Sequence, residues 1–333
     1  MNFRQFGKTE LKVSEVGFGG WTIGGPAMAG DIPIGWGDVD DNESIHALNS
    51  AYYNGINFFD TADFYGLGHS EELIGKVFKD KTSRIIVATK VGHRLDENQK
   101  IFFDYNKKYI LEACDASLRR LKRDYIDIYQ LHSARLGHLE QGECIEAMEK
   151  LKEQGKIRYW GISLNTFEPL PEARFFIDNK IGDSFQLVLN IINQLALSDI
   201  IPAAAEAGYG IIARMPYQFG LLTGRFNPDT KFTSGDHRSF RLTPSVLAKS
   251  LSALNQLWNE LGISTNEEKS RLAMSFVLSV EGVSCAIPGI RTREQAEKNT
   301  GEFPKLPAET VNLIREYYYS YFNEIVGEFR KNG

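Results

Sequence analysis

The sequence predicts an α/β fold, specifically a (β/α)8 TIM barrel, on three observations. Short β-branched runs bounded by turns alternate with amphipathic stretches of helical period, the pattern of repeated strand–helix units on a parallel sheet. Eight such runs are present. Three successive ones close on a polar residue: Asp60, Lys90 and His132.

The expected strands lie at residues 15–18, 58–60, 85–90, 126–132, 159–163, 184–189, 210–215 and 284–290. Candidate helices fall at 41–54, 70–78, 106–122, 143–153, 170–178, 198–207 and 266–280, with 293–299 after the last strand. Asn54-Gly55 and Gln154-Gly155 supply helix stops shortly before a strand begins. Residues 3–13 read as a hairpin that plugs the lower end of the barrel, and 307–330 as an extra C-terminal helix. The 333 residues suit one barrel of roughly 250 residues with insertions, so residues 1–333 are expected to form a single domain.

A doubly wound open sheet is the structural alternative. It leaves the eighth strand unexplained and requires a dinucleotide fingerprint. Gly17-Phe18-Gly19-Gly20-Trp21-Thr22 fails that fingerprint at Thr22, and a glycine-rich loop at 23–40 carrying Trp36 follows instead of a helix. A phosphate-binding loop of the nucleotide-hydrolase type, a serine nucleophile elbow and a metalloprotease His/Glu pair are all missing.

Hydrophobic residues make up 42% of the chain and charged ones 24%, a balance that supports a large core and excludes general disorder. A net charge of -5 without a basic cluster argues against a nucleic-acid partner. The first residues lack the apolar stretch of a signal peptide and no segment approaches about 18 apolar residues, so the expected location is cytoplasmic, with no membrane partner. Cys114, Cys144 and Cys285 are odd in number and far apart, which fits reduced packing residues and no metal site.

In a parallel barrel the strand ends share one mouth, so Asp60, Lys90 and His132 become neighbours there, and Tyr65, five residues after Asp60, bends back over them. Such a set suits proton donation to a carbonyl oxygen while hydride reaches its carbon. A phenol is a weak acid at neutral pH, and a buried ammonium beside it favours the phenolate. That ammonium needs a carboxylate to keep its charge, the role expected of Asp60. His132, neutral, orients the substrate oxygen or assists Tyr65.

Asp60-Thr61-Ala62-Asp63-Phe64-Tyr65-Gly66, Ser70-Glu71-Glu72-Leu73-Ile74-Gly75, Ala88-Thr89-Lys90 and Asp127-Ile128-Tyr129-Gln130-Leu131-His132 together resemble the aldo-keto reductase superfamily over nearly the whole length. The resemblance implies Tyr65 as general acid with Asp60, Lys90 and His132 in support, and NADPH/NADP+ held extended across the barrel mouth. It implies cofactor contacts at Gly20, Trp21 and Asp60, at Ser163 and Gln186 for the carboxamide, and at Arg214, Met215 and Pro216 beside the nicotinamide. Gly220, Leu221 and Arg225 correspond to the pyrophosphate loop, and Gly289, Arg291, Gln295 and Asn299 to the adenosine-phosphate segment, where a helix N-terminus flanked by arginines suits a 2′-phosphate.

Four positions depart from that pattern. Leu164 replaces the usual asparagine after Ser163, leaving Asn165 as the nearest amide; Arg214 stands where an aromatic residue is common; Arg225 replaces a lysine; Lys298 replaces a glutamate. The expected activity is NADPH-dependent reduction of an aldehyde or ketone. Two alternatives are an NADPH-binding redox-sensing module of the kind that some ion-channel subunits resemble, and a Schiff-base enzyme acting through Lys90. Trp21, Trp36, Phe64, residues 133–141 and the insertion 227–243, with Arg135, His237, Arg238 and Arg241, are the candidate substrate walls.

Overall fold

Side-chain alternation sorts each strand into one residue for the barrel interior and one for the surrounding helices. The structure, a computed structural model, describes residues 1–331. Its central sheet has eight parallel strands: β1 (Phe18–Gly19), β2 (Phe58–Asp60), β3 (Ile86–Val91), β4 (Ile126–His132), β5 (Ile157–Ser163), β6 (Ser184–Val188), β7 (Gly210–Arg214) and β8 (Val283–Ile287). They pair in sequence order from β1 to β8. Parallel bridges Val16–Ala286 and Gly19–Gly289 bring β1 back to β8 and close the (β/α)8 barrel.

The interior is layered. Phe58, Ile86, Ala88, Ile128, Ile212, Cys285 and Ile287 form an apolar floor together with Phe6, Leu11 and Val13 from the N-terminal hairpin, Phe3–Gln5 paired with Lys12–Ser14. The hairpin therefore plugs the lower end as expected. One step further along the same inward rows stand Asp60, Lys90 and Arg214, and two steps beyond Ile128 stands His132, with Ser163 and Gln186 in register beside it on β5 and β6. The outward residues, among them Phe59, Val87, Tyr129, Trp160, Phe185 and Ile211, pack against the helical layer in a second core.

Helices at Asp41–Tyr53, His69–Phe78, Lys107–Leu121, Glu143–Glu153, Leu170–Asn179, Ile200–Glu206, Asn266–Ser279 and Arg293–Asn299 match the expected ones within two residues at each end. Pro244–Glu260, between β7 and β8, is an additional long helix that the periodicity reading left out. Thr243 caps it by accepting from the Val246 amide, Pro244 opens it, and Val246, Leu247, Leu251, Leu254, Leu257 and Trp258 bury one face. Residues 133–141 are likewise more than a loop, since Leu136–Gln141 is helical. The C-terminal segment departs from one continuous helix: Ala308–Tyr317 and Asn323–Lys331 flank a π-helical turn at Tyr318–Phe322. Cys114, Cys144 and Cys285 are buried free thiols. Among the described residues no helix is long and apolar enough to cross a membrane.

Candidate active site

The upper rim carries a fully buried lysine. Lys90 Nζ donates to Asp60 Oδ1 at 2.6 Å, to the Thr61 carbonyl at 2.7 Å and to the Tyr65 hydroxyl at 3.1 Å, so all three ammonium hydrogens are engaged. The second Asp60 oxygen accepts from Gln186 Nε2 at 2.6 Å. Each carboxylate oxygen thus has its own donor, the arrangement that holds Asp60 ionised although burial pushes its pKa up against the pull of Lys90. For Lys90 burial pulls downward, but the Asp60 charge and the Tyr65 oxygen outweigh it and the ammonium stays charged. A protonated, triply bonded amine is no nucleophile, which disfavours the Schiff-base alternative.

Tyr65 opens a short 3-10 turn, Tyr65–Gly68, that folds back over the mouth. Burial raises its pKa, and Lys90 opposes that shift without reversing it. Desolvation of the phenol inside the mouth exceeds the help of one cation, which corrects the expectation that Lys90 makes Tyr65 more acidic; the hydroxyl is protonated, as a proton donor must be. Because Lys90 donates to the phenolic oxygen, the Tyr65 proton is left free to point elsewhere.

His132 lies edge-on to Tyr65, 5.8 Å between ring centroids. Burial, reinforced by His93, Lys90 and Arg214, holds its pKa well below the usual imidazole value, so it is neutral. His93 stacks on it, 4.0 Å between centroids and 5° between planes, and burial lowers His93 to about 4. The sequence reading missed His93. Its signal was Gly92, which adopts φ +131° where a Cβ would meet the Tyr105 ring at 2.1 Å, and so turns the chain back over the mouth three residues after Lys90.

The remaining expected contacts divide into three groups. Gln186 bonds Asp60 and Arg214 lies within its field in the upper layer, Ser163 stands in register between His132 and Gln186, and Trp21 stacks on Tyr65 at 6.0 Å. Gln186 Oε1 and Arg214 Nε are buried there without a partner among the described residues, polar atoms that suit a carboxamide or another polar ligand group. Arg214 Nη2 donates to the Leu164 carbonyl and Thr166 Oγ1, both at 3.1 Å, so the arginine braces the residue that replaces the usual asparagine. Asn165 is no substitute on its acceptor side, because its Oδ1 accepts from the Phe167 and Glu168 amides.

A second group lies along the rim between β7 and β8. Met215, at φ +59°, turns the chain toward the 3-10 segment Gln218–Thr223, which contains Gly220 and Leu221; Pro216 and Leu221 are buried, so Leu221 offers a ligand only its backbone. Arg225 is exposed beyond them. Gly20 serves packing: a Cβ there would stand 2.7 Å from the Asp60 carbonyl and 2.8 Å from Ser70 Oγ.

The third group surrounds helix Arg293–Asn299. Gln295 Oε1 accepts from the Arg291 amide at 2.8 Å and Thr292 Oγ1 accepts from the Gln295 amide, while Glu43 accepts from the Arg293 amide. These bonds engage the amides of Arg291, Arg293 and Gln295 at the helix N-terminus. Asn299 is committed to Tyr217 and to the Gln295 carbonyl. Arg293 pairs with Glu297 and Lys298 with Glu294, whereas Arg291 has no ion pair among the described residues. Gly289 is exposed beside it, bridged to Gly19.

The model of the family described as "Aldo/keto reductase family" matches residues 15–318. The chain belongs to the aldo/keto reductase family. Among similar proteins, L-galactose dehydrogenase of Arabidopsis thaliana is 30% identical, over 95% of this chain and 92% of its own length. A solved aldo-keto reductase from Bacillus halodurans, in its holo form, superposes with a TM-score of 0.77 at 29% identity, covering 95% of this chain and 96% of that one. A probable voltage-gated potassium channel subunit beta of Arabidopsis thaliana is 28% identical over 93% of both chains. Membership in the aldo/keto reductase family makes the protein an oxidoreductase dependent on a nicotinamide cofactor.

Proposed function

We propose that this protein is an NADPH-dependent reductase that converts an aldehyde or ketone to an alcohol with Tyr65 as general acid. The observation that carries this reading is the hydrogen-bonded chain Tyr65–Lys90–Asp60–Gln186, buried from Lys90 inward, whose three links measure 3.1, 2.6 and 2.6 Å. When bound, the nicotinamide supplies the hydride. Tyr65 supplies the proton to the carbonyl oxygen; Lys90 stabilises the phenolate left behind, and Asp60, itself held by Gln186, keeps Lys90 charged. His132, neutral and edge-on to Tyr65, orients the carbonyl oxygen.

Ser163 and Gln186 are the residues suited to the carboxamide, with Trp21, Arg214 and the Met215-Pro216 turn around the nicotinamide. Gly220, Leu221 and Arg225 would follow the pyrophosphate; Gly289, Arg291, Gln295 and Asn299 surround the adenosine end. Arg291, a cation without an internal counter-ion among the described residues, is the reason to favour NADPH over NADH. The test is consumption of NADPH, followed by its absorbance, against a panel of aldehydes, ketones and sugars. Turnover with at least one class is expected, and binding of NADPH without turnover on any would contradict the reading.

The likeness to a potassium channel subunit beta favours a second reading, an NADPH-binding redox-sensing module. Single-turnover oxidation of bound NADPH separates the two. A reductase regenerates rapidly with excess cofactor, whereas a sensor stalls after one cycle.

A further inference from the structure

Two loops meet over the rim and bury a pair of unfilled donors beside the catalytic tyrosine. Trp36, from the loop after β1, pairs through its backbone with Asp236, from the loop after β7, and the His237 amide donates to the Gly35 carbonyl. The strap brings three rings together. His237 stacks on Trp21 at 4.4 Å, Trp36 meets both edge-on, and Trp21 in turn stacks on Tyr65.

The tautomer of His237 follows from its neighbour. Arg241 Nη1 can only donate, so His237 Nδ1, 2.9 Å away, accepts. Burial holds the ring neutral, with its pKa lowered to about 3, and the single proton therefore sits on Nε2. That N–H is buried without a partner among the described residues, and so is Trp36 Nε1–H. Trp21 provides the contrast: its indole N–H reaches the Ile34 carbonyl at 3.1 Å. Buried donors are rarely left unfilled, and two on adjacent rings mark a place for ligand oxygens.

We propose that Trp36 and His237 form an oxygen-binding subsite across Trp21 from Tyr65, and that the substrate is a polyhydroxylated carbonyl compound of sugar size. The subsite lies two ring stackings from the acid, a span for an oxygen several carbons away from the carbonyl. Its donors are neutral N–H groups on aromatic rings, suited to hydroxyls. The nearby cations are already engaged, Arg238 by Asp236 at 2.5 Å and Arg241 by His237, so a carboxylate would find no matching charge there. Aromatic faces on Trp21 and Phe219 meet the C–H surface of such a molecule.

This inference rests on the proposed reductase reading, and its test keeps the two apart. The native chain, His237→Phe and Trp36→Phe are compared for kcat/KM on erythrose against butanal and on succinic semialdehyde, and for binding of xylitol by quenching of tryptophan fluorescence. Xylitol requires no turnover. The expected result is a preference for erythrose over butanal of at least about tenfold, falling about tenfold in each variant, and saturable xylitol binding that weakens in parallel. Equal rates on erythrose and butanal, preference for succinic semialdehyde, or variants that weaken NADPH rather than xylitol would each overturn the subsite. Saturable xylitol binding with no reduction of any aldehyde would retain the subsite and remove the reductase reading instead.

Discussion

His93 and His132 face one another as parallel rings, 4.0 Å between centroids and 5° apart, and both are held neutral by burial. A histidine whose pKa falls on folding binds fewer protons in the folded than in the unfolded state. Stability is therefore complete above the unfolded pKa near 6.5 and declines as pH falls toward about 4. For His93 the loss amounts to about 3 kcal/mol. His93→Phe keeps a ring on the stack but removes the titration, so urea unfolding midpoints measured from pH 7 to pH 4.5 should fall less steeply in the variant. An identical slope would place the acid sensitivity elsewhere.

Asp60→Asn removes the charge that keeps Lys90 protonated, the one carboxylate on the ammonium among the described residues. Breaking a buried pair from one side costs about 3–5 kcal/mol. The variant should unfold at correspondingly lower urea, and its residual turnover should recover toward low pH, where Lys90 is protonated without help. A defect of equal size at every pH would show that Asp60 acts by some route other than the charge of Lys90.

Arg214 is half-buried, and among the described residues it bonds to neutral partners, the Leu164 carbonyl, Thr166 and Met215. If the nicotinamide lies against it, its charge disfavours the oxidised, cationic ring relative to the reduced one. Arg214→Met is then expected to tighten NADP+ by about tenfold relative to NADPH, read from fluorescence titrations of both forms. An unchanged ratio would move the nicotinamide away from this residue.

Arg291→Ala should weaken NADPH by about tenfold and leave NADH nearly unaltered, because only the former carries a phosphate on the adenosine ribose. Parallel loss of both, measured by the same titration, would show that Arg291 supports the loop rather than the phosphate.

The barrel and its tetrad were legible because both follow from local rules. Period-two alternation puts Ile86, Ala88 and Lys90 on one inward row, so a lysine ending an apolar run already announces its place. His93 was legible only as far as a turn marked by Gly92, since nothing in Gly92-His93 states that the turn folds back onto His132 rather than out to solvent. The same holds for the donors of Trp36 and His237, which are neighbours only after loops two hundred residues apart have paired. The helix Pro244–Glu260 had a visible start in Thr243-Pro244. The direction of the Tyr65 pKa shift was not legible for another reason: a sequence names the cation beside a phenol but gives no measure of how much water the fold removes from both.

The central claim is that Tyr65 donates the proton, and rapid mixing of Tyr65→Phe with NADPH and a reducible aldehyde tests it most directly. The ring remains and the Lys90–Asp60 pair is untouched, so NADPH should bind with nearly native affinity while the rate of NADPH oxidation falls by roughly 10²–10⁴. Native-like oxidation in that variant, with NADPH bound equally well, would contradict the account.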